Sequence, residues 1–255
     1  MSTVKDTQQD IADRNQDNQP NQDKSTTVLP VVLEGRDLAK RYGKGTNAVE
    51  AVSHASLALR AGEITVLMGP SGSGKSTLLH LLSGLEQPSS GTVMAEGKDL
   101  SELSESELAA WRATRVGFVL QRNNLIPNLT LAENVAAPKI LAGERKAVAV
   151  ERARAALIEV GLGARCDAFP AQVSGGEAAR AAIARACLGD PRLIFADEPT
   201  GALDTDNSHA VMELLLSKSR KARAGVLIVT HDAIVAGAGD RILRMTDGTL
   251  GAQHG

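Results

Sequence analysis

The most informative part of the sequence is Gly69-Pro70-Ser71-Gly72-Ser73-Gly74-Lys75-Ser76-Thr77. It matches the pattern G-x-x-x-x-G-K-[ST] and lies between a predicted strand, Glu63 to Met68, and a predicted helix, Lys75 to Ser83. Small residues let successive backbone N–H groups wrap an anion at a helix N-terminus. The stretch therefore predicts a phosphate-binding loop, in which Lys75 reaches the β- and γ-phosphates of a nucleotide and Ser76 binds Mg²⁺.

The pattern on either side of this loop predicts an α/β fold. Further β-like runs lie at Val31 to Glu34, Val49 to Leu59, Leu193 to Ala196 and Gly225 to Thr230. Between about residues 101 and 171 helical signals dominate, with predicted helices from Ser104 to Ala113 and from Glu144 to Val160. The order of sheet, helices and sheet predicts an α/β core interrupted by a helical subdomain.

Composition narrows the class of protein. The formal net charge of −2 over 255 residues comes entirely from residues 1–27, a polar segment that we expect to be a disordered tail, and the domain at 28–255 is formally neutral. A neutral domain argues against a strongly basic nucleic-acid binder. The sequence has neither a membrane span nor a secretory signal, and its two cysteines suit neither a disulfide framework nor a zinc site. We therefore expect a cytosolic protein that reaches a membrane only through a partner.

Two adjacent carboxylates end a second apolar strand, Leu193-Ile194-Phe195-Ala196-Asp197-Glu198. Side chains alternate along a strand, so neighbours at its end can take different tasks. Asp197 is predicted to hold the Mg²⁺ shell, and Glu198 to orient and deprotonate an attacking water. An isolated acidic pair is more often a solvated loop, and only the upstream phosphate loop favours a functional role.

A second turn of small residues is Ser174-Gly175-Gly176-Glu177, at the start of the Ala-rich run from Ala178 to Cys187. It fits a simple helix cap, because Ser is a preferred N-cap residue and Glu177 lies three residues on. Together with the preceding motifs, however, the chain resembles the nucleotide-binding subunits of ABC (ATP-binding cassette) transporters, whose signature reads L-S-G-G-Q/E. The resemblance extends from about Val31 to Leu250, and its motifs fall in family order.

The resemblance implies the fold and further site residues. It implies a P-loop NTPase core with a mixed sheet, flanking helices and a small antiparallel β subdomain. By the same resemblance Tyr42 stacks on adenine and Gln121 contacts Mg²⁺ and the water. Asp204 belongs to a loop that crosses a dimer interface, and His231 contacts the γ-phosphate. A lone histidine after a strand is more often structural. Here the motifs follow one another in the order seen in the family, which favours a functional role for His231.

The resemblance also implies a homodimer in which Ser174 to Gly176 of one subunit close over ATP on the phosphate loop of the other. The run from Ala196 to Asp204 is most similar to the branch that serves lipoprotein release, macrolide export and FtsEX-like complexes. That branch usually continues the signature as G-E-R-Q-R, whereas this chain has Ala178 and Ala179 after Glu177. The phosphate-facing groups are retained, so we expect ATP hydrolysis.

These features predict an ATPase that binds ATP and Mg²⁺ and powers export or mechanical transmission. Its expected partner is a separate integral membrane permease similar to FtsX or MacB, so it would be peripheral on the inner face of the cell membrane. The alternative is an ABC ATPase that acts on DNA or ribosomes, although such proteins carry a long coiled coil or two cassettes. A P-loop kinase or GTPase would have no reason to carry Gln121, Ser174 to Gly176 and His231 in this order.

Overall fold

The computed structural model describes residues 29–121, 123–201 and 203–251, so the predicted tail at residues 1–27 lies outside the described residues. In this part of the chain, ten strands form two sheets, with α-helices between them. The strands are β1 (Val31–Tyr42), β2 (Val49–Arg60), β3 (Ile64–Met68), β4 (Ser90–Ala95), β5 (Lys98–Asp99), β6 (Val116–Val119), β7 (Leu193–Asp197), β8 (Gly225–Thr230), β9 (Arg241–Thr246) and β10 (Thr249–Leu250). The helices are α1 (Lys75–Leu82), α2 (Glu105–Arg115), α3 (Leu131–Leu141), α4 (Lys146–Glu159), α5 (Gly175–Cys187), α6 (Thr205–Ala222) and α7 (Ala233–Ala236).

The larger sheet carries the phosphate loop. Its strand order is β10-β9-β3-β8-β7-β6, and all neighbours are parallel except β9 and β10. The central strands β3, β7 and β8 are almost wholly apolar because helices or the second sheet cover both faces. This mixed sheet with flanking helices confirms the predicted α/β fold class.

The smaller sheet is antiparallel, with the order β2-β1-β4-β5. Strand β1 continues well beyond the predicted end at Glu34 and reaches Tyr42. Its pairing with β2 shifts register between Gly35 and Leu38, and Asp37 there has a φ of 50°. The bulge interrupts the alternation of apolar and polar residues, which is why the sequence pattern predicts a shorter strand.

Among the described residues, three apolar clusters form the core. One face of the larger sheet packs with α1 against the smaller sheet, through side chains such as Leu67 and Phe195. The opposite face, including Val66 and Ile194, packs against α5 and α6. The third cluster joins α3, α4 and α5. Adjacent residues of β3, Val66 and Leu67, therefore point into different clusters, as expected for a strand buried on both faces.

The helical region differs in detail from the prediction for residues 101–171. Strand β6 lies inside that range and pairs with β7, so this part belongs to the larger sheet. Helix α3 is not evident from the sequence pattern, yet a capping box formed by Thr130 and Glu133 starts it. The helical cluster also includes residues of α5, beyond position 171. No helix within the described ranges combines the length and the apolar character of a membrane span.

Candidate active site

The phosphate loop joins the end of β3 to the start of α1. Gly74 precedes the first helical turn, and its φ of 98° is a left-handed conformation that favours glycine. A Cβ atom on Gly74 would lie 2.1 Å from the Ala51 carbonyl oxygen, and one on Gly69 would lie 2.1 Å from the Met245 carbonyl oxygen. The loop is therefore held tightly between the backbones of β2 and β9, where larger residues do not fit.

The loop carries several hydrogen-bond donors. The Lys75 ammonium donates hydrogen bonds to the carbonyl oxygens of Gly69 at 2.9 Å and Pro70 at 2.7 Å. The Ser73 hydroxyl is buried and has no hydrogen-bond partner within the described residues. The first backbone N–H groups of α1 also lack partners within the helix. A lysine, an unpartnered hydroxyl and unpaired N–H groups together form a donor set that suits a phosphate.

The side chains of Ser76, in α1, and Asp197, at the end of β7, lie next to each other. The Ser76 hydroxyl donates a hydrogen bond of 3.2 Å to Asp197 Oδ1. Burial raises the pKa of the Asp197 carboxyl, and the hydrogen bond from Ser76 partly opposes this rise. A hydroxyl beside one carboxylate suits Mg²⁺, which is commonly held by one or two carboxylates together with substrate phosphates. The described residues contain no group of three or more His, Cys, Asp or Glu side chains that could hold a metal ion on its own.

Glu198 and His231 form a pair beside this position. His231 Nδ1 lies 2.8 Å from Glu198 Oε1, and the imidazole is mostly exposed whereas the carboxylate is largely covered. Parallel pairing of β7 with β8 brings the ends of the two strands together, because Asp197 is opposite Val229. A carboxylate held by an imidazole at a cavity wall can accept a proton from water.

These side chains line one cavity of about 620 Å³, within the usual size range of small-molecule sites. The lining consists of Ala51, Ser71, Gly72, Gly74, Lys75, Ser76, Thr77, Gln121, Asp197, Glu198, Val229 and His231. Ten of these twelve residues are predicted from the sequence, and the structure adds Ala51 and Val229. Neither added residue has polar side-chain atoms, so no chemical signal in the sequence could have identified it. Gly69, Pro70 and Ser73 belong to the loop without lining the cavity.

Tyr42 lies near the cavity but not in its lining. Its hydroxyl donates a hydrogen bond of 2.6 Å to Glu86 Oε2, and the Lys40 ammonium is 5.3 Å from the ring centroid. Burial and the Glu86 contact raise the pKa of the Tyr42 hydroxyl, while a hydrogen bond with Thr77 lowers it. Thr77 does line the cavity, so the contact places the ring at the edge of the phosphate loop. The Tyr42 side chain is exposed.

The second small-residue turn, Ser174 to Gly176, lies outside this cavity. It caps α5 as predicted: the Glu177 N–H donates to Ser174 Oγ at 3.2 Å, and the Ser174 N–H donates to Glu177 Oε2 at 2.8 Å. The hydrogen bond from the Ser174 backbone lowers the pKa of the Glu177 carboxyl, and Arg165 contributes to this lowering. Ser174 and Gly175 are exposed, so the turn presents its polar groups to the surroundings rather than to the cavity of its own chain.

Asp204 lies next to this turn. Its carboxylate caps α6 by accepting hydrogen bonds from the backbone N–H of Asn207 at 2.9 Å and from its side-chain amide at 2.8 Å. A Cβ atom on Gly176 would approach Asn207 Oδ1 to 2.7 Å, so the two turns pack closely. The following Ala179 is buried in the cluster between the larger sheet and α5, whereas Ala178 is half-buried.

Comparison with known proteins matches this architecture to one family. Residues 52–201 match the family described as ABC transporter. The chain is 44% identical over 218 residues to the lipoprotein-releasing system ATP-binding protein LolD of Bordetella pertussis, covering 86% of this chain and 94% of that protein. It is also 44% identical over 219 residues to the macrolide export ATP-binding/permease protein MacB of Marinobacter nauticus, and here the match covers 86% of this chain but only 34% of MacB.

A solved structure supports the same relationship. The chain resembles the dimeric ATP-binding cassette MJ0796 in a post-hydrolysis state with ADP and Pi bound. The two superpose with a TM-score of 0.80 at 35% identity, covering 87% of this chain and 97% of that one. The relatives are named as parts of transport systems, which gives no support to the alternative of an ATPase acting on DNA or ribosomes. The chain therefore belongs to the ABC transporter family, as one of its ATP-binding and ATP-hydrolysing subunits.

Proposed function

We propose that this chain hydrolyses ATP to power export or mechanical transmission through a separate membrane permease. One observation carries the proposal: the phosphate loop, Gln121, Asp197, Glu198 and His231 come together around a single cavity. They come from distant parts of the chain, and parallel strands of the larger sheet bring most of them to the same edge. Ligands of open α/β sheets bind at this edge, beyond the carboxyl ends of the strands.

Substrate binding would begin at the phosphate loop. The β- and γ-phosphates would replace the carbonyl oxygens of Gly69 and Pro70 as hydrogen-bond partners of Lys75. Tyr42 would contribute stacking on adenine, a contact that is worth about 1–3 kcal/mol per base in other nucleic-acid complexes. Ser76, Gln121 and Asp197 would hold Mg²⁺, which when bound neutralises charge on the β- and γ-phosphate oxygens.

Hydrolysis is the attack of water on the γ-phosphorus. The oxygen of the water forms the new bond, the bond from phosphorus to the bridging oxygen of ADP breaks, and ADP and phosphate leave. Glu198 accepts the proton of the water, and His231 holds the Glu198 carboxylate in place and contacts the γ-phosphate. The backbone amides of the loop and Lys75 stabilise the charge that develops on the phosphoryl oxygens.

The same proposal includes a homodimer with ATP at the interface. Ser174 to Gly176 and Asp204 of one subunit would complete the site of the other, which agrees with the position of this turn outside the cavity of its own chain. The dimeric state of the related cassette with ADP and Pi supports this arrangement. Formation of the dimer by ATP and its release by hydrolysis would supply the motion that drives a partner.

The partner we propose is an integral membrane permease similar to FtsX or MacB, met at the cytoplasmic face of the inner membrane. The match to nearly the full length of LolD, the ATP-binding protein of a lipoprotein-releasing system, supports a permease on a separate chain. No nucleic-acid partner is proposed. The specific cargo would be met by the permease, so lipoproteins and macrolides are candidates only through these two relatives.

The first test is phosphate release by the purified protein. We expect hydrolysis of ATP that requires Mg²⁺ and stops when EDTA is added. Lys75→Ala should weaken ATP binding by about tenfold or more, because it removes a charge-assisted contact to the phosphates. Titration with a fluorescent ATP analogue measures that affinity, and an unchanged value would contradict the phosphate-loop assignment.

The second test identifies the partner. The tagged chain, purified from membranes solubilised in mild detergent, should retain a permease that mass spectrometry identifies. The tagged Lys75→Ala variant is the matched control. Its substitution lies in the cavity rather than on the outer surface, so it should retain the same permease. Enrichment of ribosomal proteins in place of a permease would contradict the transport role.

A further inference from the structure

Arg185, on α5, contacts the loop that follows Gln121. Its Nη1 donates a hydrogen bond of 2.8 Å to the Asn124 carbonyl oxygen, and its Nη2 donates one of 2.7 Å to the Asn123 carbonyl oxygen. Burial lowers the pKa of the guanidinium. Burying a charged group is costly unless its donors are bonded, so the two carbonyl contacts are the main compensation for placing this charge here.

The carbonyls that Arg185 holds belong to an unusual turn. The Asn123 N–H donates a hydrogen bond of 2.8 Å to the Leu120 carbonyl oxygen, which makes Gln121 the first central residue of a closed turn. Asn123 and Asn124 both have positive φ, 55° and 41°, a conformation that few residues other than glycine adopt. Two successive left-handed residues persist only where surrounding contacts hold them. Arg185 provides such contacts through the carbonyl oxygens of Asn123 and Asn124, just after Gln121 in the chain.

The far end of the same loop has a separate anchor. The buried Asn134 accepts a hydrogen bond from the Ile126 N–H at 2.6 Å and donates to the carbonyls of Ile126, Leu129 and Thr130. These contacts fix the entry to α3 and do not reach Gln121. Among the described residues, Arg185 is the side chain seen to donate to carbonyl oxygens beside the turn from which Gln121 enters the lining of the cavity. Arg185 itself is not part of that lining.

We propose that Arg185 is a positioning residue for ATP hydrolysis, whose guanidinium holds the turn that directs Gln121 into the nucleotide cavity. The proposal rests on the proposed role of Gln121 in that cavity. Because α5 is one helix of 13 residues that starts beside Ser174, the same contact also ties the loop of Gln121 to the helix that carries the exposed small-residue turn.

A double-mutant cycle tests the positioning role. Arg185→Met removes both hydrogen bonds and keeps an unbranched apolar stem in place of the inner part of the arginine side chain. We expect kcat for ATP hydrolysis to fall by about tenfold or more, and KM for ATP to change by less than about threefold, because the phosphate loop is untouched. Gln121→Ala combined with Arg185→Met should be no slower than the slower single variant. A kcat within about twofold of wild type for Arg185→Met, or effects that multiply in the double variant, would overturn the proposal.

Two further variants serve as control and as replacement in this test of the positioning role. Arg192→Met, at an exposed arginine that is 3.6 Å from Glu96, should retain the wild-type kcat. If Arg185→Met does not fold, Arg185→Lys replaces it: a single ammonium cannot match the two-pronged contact, so kcat should fall several-fold, and an unchanged kcat would overturn the proposal. Absence of hydrolysis by the wild type would contradict the proposed function itself, whereas normal hydrolysis by both wild type and Arg185→Met contradicts only the positioning role.

Discussion

At the scale of single residues, Glu198 is held in a conformation that its side chain does not favour. Its φ is 49°, and two backbone hydrogen bonds hold it, from its own N–H to the Val229 carbonyl at 2.9 Å and from the Gly201 N–H to its carbonyl at 3.1 Å. A left-handed conformation costs a residue other than glycine about 1–2 kcal/mol. Such residues cluster at functional sites, where the surrounding fold maintains the strain. The conformation directs the carboxylate toward His231 and the cavity.

We expect Glu198→Gln to lower kcat by about 100-fold or more, because a carboxamide cannot accept the proton of the attacking water. ATP affinity should stay within about threefold of wild type, since the shape of the side chain and the phosphate loop are preserved. Phosphate release and ATP titration measure the two quantities. Glu102→Gln, on the exposed surface, is the matched control and should hydrolyse ATP normally. Wild-type turnover by Glu198→Gln would exclude this carboxylate as the base.

The Cys187 thiol is expected to be unreactive in the folded protein. Burial raises the pKa of its thiol to about 12, so its thiolate fraction at pH 8 is about a thousandfold below that of a thiol with the reference value of 9.0. The folded protein should therefore react slowly with iodoacetamide at Cys187, and unfolding in urea should restore ordinary reactivity. Peptide mass spectrometry of the labelled protein measures the rate at this position. Rapid labelling of the folded protein at pH 8 would contradict the raised pKa of this thiol.

At the scale of elements, the contact between β6 and α5 leaves no room for a side chain. A Cβ atom on Gly117 would lie 2.1 Å from the Ala186 carbonyl oxygen, which is backbone and cannot move without shifting the helix. This contact places Arg185, one residue before Ala186, next to the loop that leaves β6. The position of the loop that carries Gln121 therefore depends on a glycine in a strand, as well as on residues of the loop.

Gly117→Ala should destabilise the fold by about 1–3 kcal/mol or more, because the new methyl group forces β6 and α5 apart. Thermal and urea unfolding measure the loss. Gly251→Ala is the matched control, because a Cβ atom there would be at an ordinary distance of 3.5 Å from the Arg244 carbonyl oxygen. Equal stability of the two variants would show that the close approach at Gly117 does not affect the free energy of unfolding.

At the scale of the whole molecule, the two small-residue turns at helix N-termini lie in different places. The phosphate loop faces the cavity, whereas Ser174 and Gly175 are exposed and outside it. The two small-residue turns of one chain therefore do not line the same cavity. The proposed head-to-tail dimer would place the exposed turn of each chain over the cavity of the other.

We expect Glu198→Gln to form a dimer on size-exclusion chromatography in the presence of ATP and Mg²⁺, and to remain monomeric with ADP. Hydrolysis normally removes the γ-phosphate that joins the subunits, so slowing it should accumulate the dimer. Adding Gly175→Arg to this variant places a bulky charge on the exposed turn and should abolish the dimer while leaving ATP titration unchanged. A dimer that persists in this combined variant would place the interface elsewhere.

Much of the fold could be predicted from the sequence because its signals are local. β8 has the predicted bounds, Gly225–Thr230, and α1 begins at the predicted Lys75, since continuous apolar runs and glycines mark buried strands and helix ends. Several elements were not predicted, and two of them, β6 and α3, carry weaker local signals. β6 is only four residues long, and α3 contains Pro138, so neither stands out by period or composition.

For the candidate site, the sequence alone determined which groups can do the chemistry: a glycine-rich turn with Lys75, two carboxylates after an apolar strand, and a histidine after another. Motif chemistry depends on residue types at short spacing, which the sequence displays directly. The folded structure was needed to show that these groups line one cavity, that Ser174 lies outside it, and that Arg185 contacts the loop after Gln121. Those relations join residues far apart in the chain, and they depend on strand register and on close backbone contacts that leave no local pattern in the sequence.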